Sequence, residues 1–571
     1  MTTDQKAKAS ARKASDAARD PDRMGLVALI ALAAGGMIGS GWMLGAYHAT
    51  QTAGQWAWVS WLLGGVLMTA IGVVMVELGR HRAENGGLVF WPLKSSGPLM
   101  TIAVAAALWV FYALNPATEA AAVVQAMGNK SLYDYDPVHP GPTTAGLFLS
   151  GVLMIPIVGV TLLGFRVIRT STVWLTAFKV FVPVSVIVLL FASGFDAHGV
   201  AQHSVAQGHS VIRAIVSALT SGGVIYAYIG FQGPLDFAGE VKDDGRFSEA
   251  ARLKIAVIGT LVATTLLYTL LQVVYLGHTG RSFVNLESPY TKFAAGIAIT
   301  GTAVAILVRI DSIVSPAGAG VLFALLLSEE VEAMSREGLT DTRLATVEPR
   351  LWPRGPRRHW PILALNLGIG WLELAFFGGD WVTMVTASSI LTLFVYAMPA
   401  ASLLAFAKFH RDYPDPEKPG YFRVGWGTQS AAWFGFVGVT EVLFWAGWTV
   451  MWRAALLLTA ATLLLLVLPR LSRYIERFQL YEADNPWTQK SARPGLLVLA
   501  LYLASILLLS RLGMSSSHHP VVSAQVGSIL AALVGITALA LLRHYSARYQ
   551  EREILPSGRK VPLQPGKNLA G

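Results

Sequence analysis

Between Met24 and Val76 the chain carries no Asp, Glu, Lys or Arg, an uncharged run of 53 residues. A helix crosses the hydrocarbon core of a bilayer in about 20 residues, so this run predicts two consecutive membrane spans rather than one. The pattern then repeats. Apolar stretches fall near 24–46, 55–78, 99–127, 144–165, 171–194, 211–240, 254–278 and 297–328, then near 360–378, 381–407, 430–447, 451–469, 495–512 and 522–542. The expected fold is an all-α polytopic membrane protein with about 14 transmembrane helices, the pair at 430–469 being closely spaced. Polar sequence is left for an N-terminal tail, 1–23, and a C-terminal tail, 543–571. The first tail lacks the apolar core and small-residue cleavage site of a secretory signal.

Composition narrows the class. Hydrophobic residues make up 54% and charged residues 14%, with a mean hydropathy of +0.52. Soluble proteins carry about 25% charged residues. This deficit excludes a disordered or nucleic-acid-wrapping chain and argues against a soluble multidomain enzyme. The net charge of +10 would point to nucleic acid only if it formed a basic face on a folded domain. Instead the basic residues lie in the gaps between apolar runs, and no nucleic-acid partner is expected.

Their distribution predicts orientation. With both termini cytoplasmic, the segments on that side hold 36 of the 44 Lys and Arg residues. The opposite side holds Lys130, Arg213, Arg281, Lys292, Arg453 and Arg511; Lys179 and Arg309 fall inside apolar runs. This is the positive-inside bias of a plasma-membrane or bacterial inner-membrane protein.

Two of the runs are poor continuous helices. The first contains Gly35-Gly36-Met37-Ile38-Gly39-Ser40-Gly41, and the sixth contains Gly230-Phe231-Gln232-Gly233-Pro234. In a helix interior Gly costs about 1 kcal/mol and Pro about 3. Backbone freed at membrane depth is tolerated only where protein or a cavity satisfies it. Glycines that merely let helices pack closely would explain one such cluster. Paired interruptions at corresponding positions of two five-span halves point instead to a transporter with a midplane site.

The freed backbone has a chemistry of its own. The N–H groups of Gly39, Ser40 and Gly41, beside Ile38, would open a half-helix at its positive end and attract a carboxylate. Carbonyls near Tyr226, Ala227 and Ile229 would close another half-helix and accept from an ammonium. A small molecule bearing both groups a short distance apart is an α-amino acid.

At these residues the chain resembles the amino acid–polyamine–organocation superfamily of transporters. The matching pieces are Gly35 to Trp42, Glu77-Leu78-Gly79 with Glu84-Asn85-Gly86-Gly87, Ala238-Gly239-Glu240-Val241-Lys242, and Ala333 to Gly338. Asp311-Ser312-Ile313-Val314-Ser315-Pro316 is most like the aspartate–proton symporter branch. The resemblance implies a LeuT-type 5+5 inverted repeat, one half at 24–194 and the other at 211–407, with peripheral spans 11–14 at 430–542. It further implies alternating access, proton-coupled uptake, and Tyr226 as a gate over the bound substrate. Gln232 departs from the pattern, since many relatives carry an acidic residue there. Glu329, Glu330 and Glu332 make the end of the eighth run unusually acidic.

Lys179 and Asp311 are the candidates for proton coupling. A lysine at membrane depth is by default functional, able to alternate between protonated and neutral forms. By resemblance, Lys179 stands where sodium-driven relatives hold a cation between spans one, five and eight. The alternative is snorkelling, although about 12 Å of helix separates Lys179 from the surface and a lysine reaches about 6 Å. Asp311 is read as part of coupling or substrate recognition, or else as the structural partner of Arg309. Asn115 faces the cavity or caps the kink at Pro116. Glu373 and Asp380 flank the outer end of the ninth run, where water is near.

Other chemistry finds no footing. There are no cysteines, hence no disulfide, thiolate metal site or Cys nucleophile. There is no phosphate-binding loop and no paired-His metal helix, His518 and His519 falling in a polar loop. No cofactor, metal or enzymatic activity is expected. The expected function is secondary active transport of an amino acid by proton symport, with acidic amino acids such as aspartate as candidate substrates. An exchanger and a non-transporting amino-acid sensor on the same fold are the alternatives.

Overall fold

The computed structural model describes residues 24–554 apart from 83, 136–139, 164, 202, 206–209, 242–246, 279–289, 291–297, 342–343, 345–359, 414–421, 472–491 and 514–520. The tail 1–23, Lys242, His518 and His519 therefore lie outside the described residues. Among the described residues each apolar run is helical, in one piece or, as at 211–240, in several shorter ones. Ten helices among the described residues are long and apolar enough to cross a membrane, while Leu26–Met37, Val211–Ser221 and Trp360–Phe376 are shorter apolar ones.

Local chemistry sets the helix ends. Thr143, Ser210, Ser248 and Asp380 each accept a backbone N–H three residues on with a side-chain oxygen, satisfying a donor that the first turn leaves free. Gly97, left-handed at φ 86°, stops Gly87–Ser96, and Pro98 then starts the next helix where its missing N–H costs nothing. The closely spaced pair is two helices, Trp426–Trp445 and Trp448–Leu471, turned by Gly447 at φ 86°.

Helices Pro98–Ala126 and Trp381–Asp412 form the interior. The most apolar stretch of the first is wholly buried and that of the second 94% buried, against 17% for Trp448–Val467. Against Trp381–Asp412 pack Val211–Ser221 and Val224–Tyr228 of the second broken helix, while the first, Leu26–Met37 with Gly41–Ala53, packs on Phe165–Ala192, Ala298–Arg336 and Val211–Ser221. A parallel bridge between Met24 and Val241 ties the start of one to the end of the other.

The helices outrun the hydropathy in two places. The eighth run continues as Ala298–Arg336, about 58 Å at 1.5 Å per residue, so Glu329, Glu330 and Glu332 are helical. The last helix, Ala524–Ile554, extends past 542 into what was read as tail. Both extensions contain Glu, Arg and Ala, good helix formers that a hydropathy count ignores.

Candidate functional site

Three residues, Ile38 to Ser40, separate the two halves of the first broken helix. Ile38 leaves the helical region at ψ 85°, and Ser40 opens the second half by accepting from the N–H of Leu44 at 3.1 Å. In the second broken helix the chain leaves Val224–Tyr228 extended at Ile229 and turns through Gly230 at φ 118° before Gly233–Asp236.

The two breaks touch. A Cβ on Gly230 would lie 2.5 Å from the carbonyl carbon of Gly36, and one on Gly41 would lie 2.7 Å from Ala227 Cβ and 2.9 Å from its Cα. These glycines are needed because backbone meets backbone. Ile38, Ser40, Gly41, Tyr226, Ala227, Ile229 and Gln232 are all buried, and the structure is closed over the breaks.

Each end of the first break meets an opposite charge. The N–H of Ser40 donates to Glu119 Oε2 at 2.9 Å, and the Tyr226 hydroxyl donates to Glu119 Oε1 at 2.9 Å. At the other end Lys179 Nζ donates to Gly35 O at 2.7 Å, and the Tyr268 hydroxyl donates to Met37 O at 3.0 Å. A carboxylate thus sits at the positive end of one half-helix and an ammonium at the negative end of the other, the arrangement helix dipoles favour. Lys179 is fully buried, which rules out snorkelling in this conformation. Its charge interacts with Asp311 and Glu119.

Asp311 is also buried, accepting from the Ser315 hydroxyl at 2.8 Å and reached by Trp42. Arg309 lies on the exposed side of the same helix, away from Asp311. Asn115 is buried and donates to Phe111 O, one turn back on its own helix, at 2.6 Å and to Ser388 Oγ at 3.3 Å. Asp380 caps its helix through Thr383; Glu373, expected near water, is buried among apolar neighbours.

Around Tyr226 the wall is aromatic. Trp381 donates its Nε1–H to Ser40 Oγ at 3.0 Å, meets Tyr226 edge to face at 6.3 Å and stacks on His48 at 5.2 Å. Beyond the breaks Gln232 joins three helices. Its Nε2 donates to the Tyr112 hydroxyl at 2.9 Å, while its Oε1 accepts from the Tyr396 hydroxyl and from Gly230 N.

Sequence reasoning brings Ile38 to Gly41, Tyr226, Ala227, Ile229, Lys179 and Asp311 to one region, and the structure adds Glu119. The signal for Glu119 was present, since it is the one charged residue between 99 and 127. An ionisable group at that depth is a functional candidate by default.

Over residues 24–472 the chain matches the amino acid permease family. Among similar proteins, the glutamate/serine transporter AimA of Bacillus subtilis (strain 168) is 28% identical over 448 residues, 75% of this chain and 78% of that protein. The aspartate-proton symporter of the same organism is 26% identical over 448 residues, 75% of this chain and 80% of that one. The arginine/agmatine antiporter of Chlamydia pneumoniae is 22% identical over 404 residues, 68% and 79% of the two chains. The chain belongs to the amino acid permease family and is an integral membrane protein.

Proposed function

Proceeding from membership of the amino acid permease family, we propose that this protein is a proton-coupled symporter of amino acids, taking up small or acidic ones by alternating access. The observation that carries the proposal is Glu119 seated on the Ser40 N–H while Lys179 holds Gly35 O. A substrate carboxylate would need the same positive helix end that Glu119 occupies. Protonation of Glu119 weakens its hold on Ser40 N and frees that end. Substrate entry and proton uptake are thereby linked at one atom. The substrate ammonium would be received by the carbonyls near Tyr226, Ala227 and Ile229, with Tyr226 swinging as the gate once its hydroxyl leaves Glu119.

Lys179 and Asp311 form the second half of the coupling device. The ammonium bridges the first broken helix to the helix of Lys179, and its charge balances Asp311 and Glu119. Proton loss from Lys179 would release Gly35 O and let these elements separate. The layout in this reading is two five-span halves, 24–194 and 211–407, with spans 430–542 at the periphery and both termini cytoplasmic. The 36-of-44 basic-residue bias supports that orientation. The substrate class rests on the names of the two Bacillus relatives.

Uptake by proteoliposomes tests the reading. A panel of labelled amino acids under imposed pH or sodium gradients should show accumulation of aspartate, glutamate or serine with an inward proton gradient alone. Flux only as counterflow against an internal amino acid would leave an exchanger, and the lack of any flux with intact binding would leave a sensor. Either outcome overturns proton symport.

A further inference from the structure

A second pair of buried carboxyl groups lies beyond the second break, apart from the Glu119 and Lys179 centre. Asp236 ends the Gly233–Asp236 turn, Glu330 lies in the Ala298–Arg336 helix, and both are fully buried. The Tyr112 hydroxyl donates to Asp236 Oδ2 at 2.8 Å. Gly86, left-handed at φ 72°, donates its N–H to Asp236 O at 3.1 Å. A Cβ on Gly86 would come within 3.4 Å of Glu330 Oε2 and 2.3 Å of Ala333 Cβ, so three elements close together here.

The remaining oxygens have no donor. Asp236 Oδ1 and both carboxyl oxygens of Glu330 lack a hydrogen-bond donor, and the two carboxyl groups face each other within hydrogen-bonding reach. As carboxylates both can only accept, so their contact becomes a hydrogen bond only when a proton lies between them. The charged and titratable groups that act on the pair are the phenols of Tyr112 and Tyr396 and, on the Glu330 helix, Glu329. None is a cation. Among the described residues no cluster of three or more His, Asp or Glu could hold a metal ion, which favours a proton over a metal.

We propose that Asp236 and Glu330 share one proton and act as a latch, fastening the second broken helix to the Ala298–Arg336 helix at this end of the protein. With the proton in place the pair is an O–H···O bond; without it, two buried negative charges repel across a dry contact. Proton loss therefore drives this end open. The inference rests on the alternating-access reading only in treating that movement as part of a transport cycle.

The chain has no native cysteine, so Ala333→Cys supplies a single label beside the pair. Its maleimide modification rate in purified protein is divided by that of the unfolded chain at the same pH, which cancels the thiol's own ionisation. From about pH 6 to about pH 9 the normalised rate should rise about tenfold or more. Glu330→Gln and Asp236→Asn, each made in the Ala333→Cys background, should flatten the rise, because the amide can donate to the remaining carboxylate at any pH. The same slope in both variants overturns the latch. Glu84 and the Lys94–Glu337 ion pair at this end are present in all three proteins, so their contribution cancels.

Infrared spectroscopy of the unsubstituted protein needs no labelled variant. It should lose more carboxylic C=O absorbance over the same pH range than Glu330→Gln does, the difference isolating the pair from Glu119 and Glu84. An equal loss in the two proteins also overturns the proposal. Neither measurement requires transport, so failure of symport leaves this test intact.

Discussion

The carboxylate of Glu119 accepts the backbone N–H of Ser40 at 2.9 Å, across 79 residues of sequence. The positive end of the first broken helix is therefore filled by the protein's own anion. In the proposed cycle a substrate carboxylate takes the place of that anion, and protonation of Glu119 weakens its hold. On that reading one contact would connect the unwound glycines, the proton and the substrate.

Glu119→Gln tests it. The amide keeps the size of the side chain but cannot titrate. Proton-driven accumulation in proteoliposomes should vanish, while counterflow exchange of labelled substrate survives. Retained accumulation under a pH gradient would remove Glu119 from coupling.

Lys179→Ala should eliminate accumulation driven by a pH gradient, and sodium should not restore it. Removing one partner of a buried charge network costs about 3–5 kcal/mol, so the melting temperature should drop as well. Substrate binding to the folded variant, followed in detergent, separates a coupling defect from a lost fold. Full accumulation by a folded variant would contradict the coupling role.

Gly41 and Gly39 should respond differently to an added side chain. Any Cβ at 41 strikes the Ala227 backbone, whereas one at 39 strikes the movable Glu119 carboxyl at 2.6 Å. Gly41→Val should lose substrate binding and about 1–3 kcal/mol of stability through overpacking. Gly39→Ala should retain its fold and shift the pH dependence of binding. Thermal unfolding and ligand titration on the purified variants distinguish the two, and equal effects would count against the close helix contact.

Glu84 offers a pH effect outside the spans. Burial pushes its carboxyl above the usual carboxylate range, with Lys94 opposing and Glu337 reinforcing the shift. An unfolded glutamate ionises at about pH 4.3. Between that value and the higher native one, the folded chain keeps a proton that the unfolded chain has lost, so stability falls as pH rises through the window. Glu84→Gln should remove this decline from a plot of melting temperature against pH. The group is partly exposed, so the amplitude is small. An unchanged slope would show that the carboxyl titrates freely.

The amino-acid sequence by itself determined the run of apolar helices and the place of both breaks. Membrane hydropathy and the backbone limits of Gly and Pro act within a few residues, so Gly39, Gly230 and Pro234 announce themselves locally. It also marked Lys179 and Asp311, because a charge inside an apolar run stands out without any partner being known. Glu119 carried the same mark.

Only the tertiary structure decided which groups meet. Ser40 with Glu119, Gly35 with Lys179, and Tyr112 with Asp236 are separated by 79, 144 and 124 residues, and no local pattern encodes such a distance. Glu330 shows the reason most clearly. Hydropathy placed it only at the acidic end of the eighth run, yet the helix runs on and Gly86 closes over it. Burial belongs to the packing of several elements at once, and a single stretch of sequence describes only one of them.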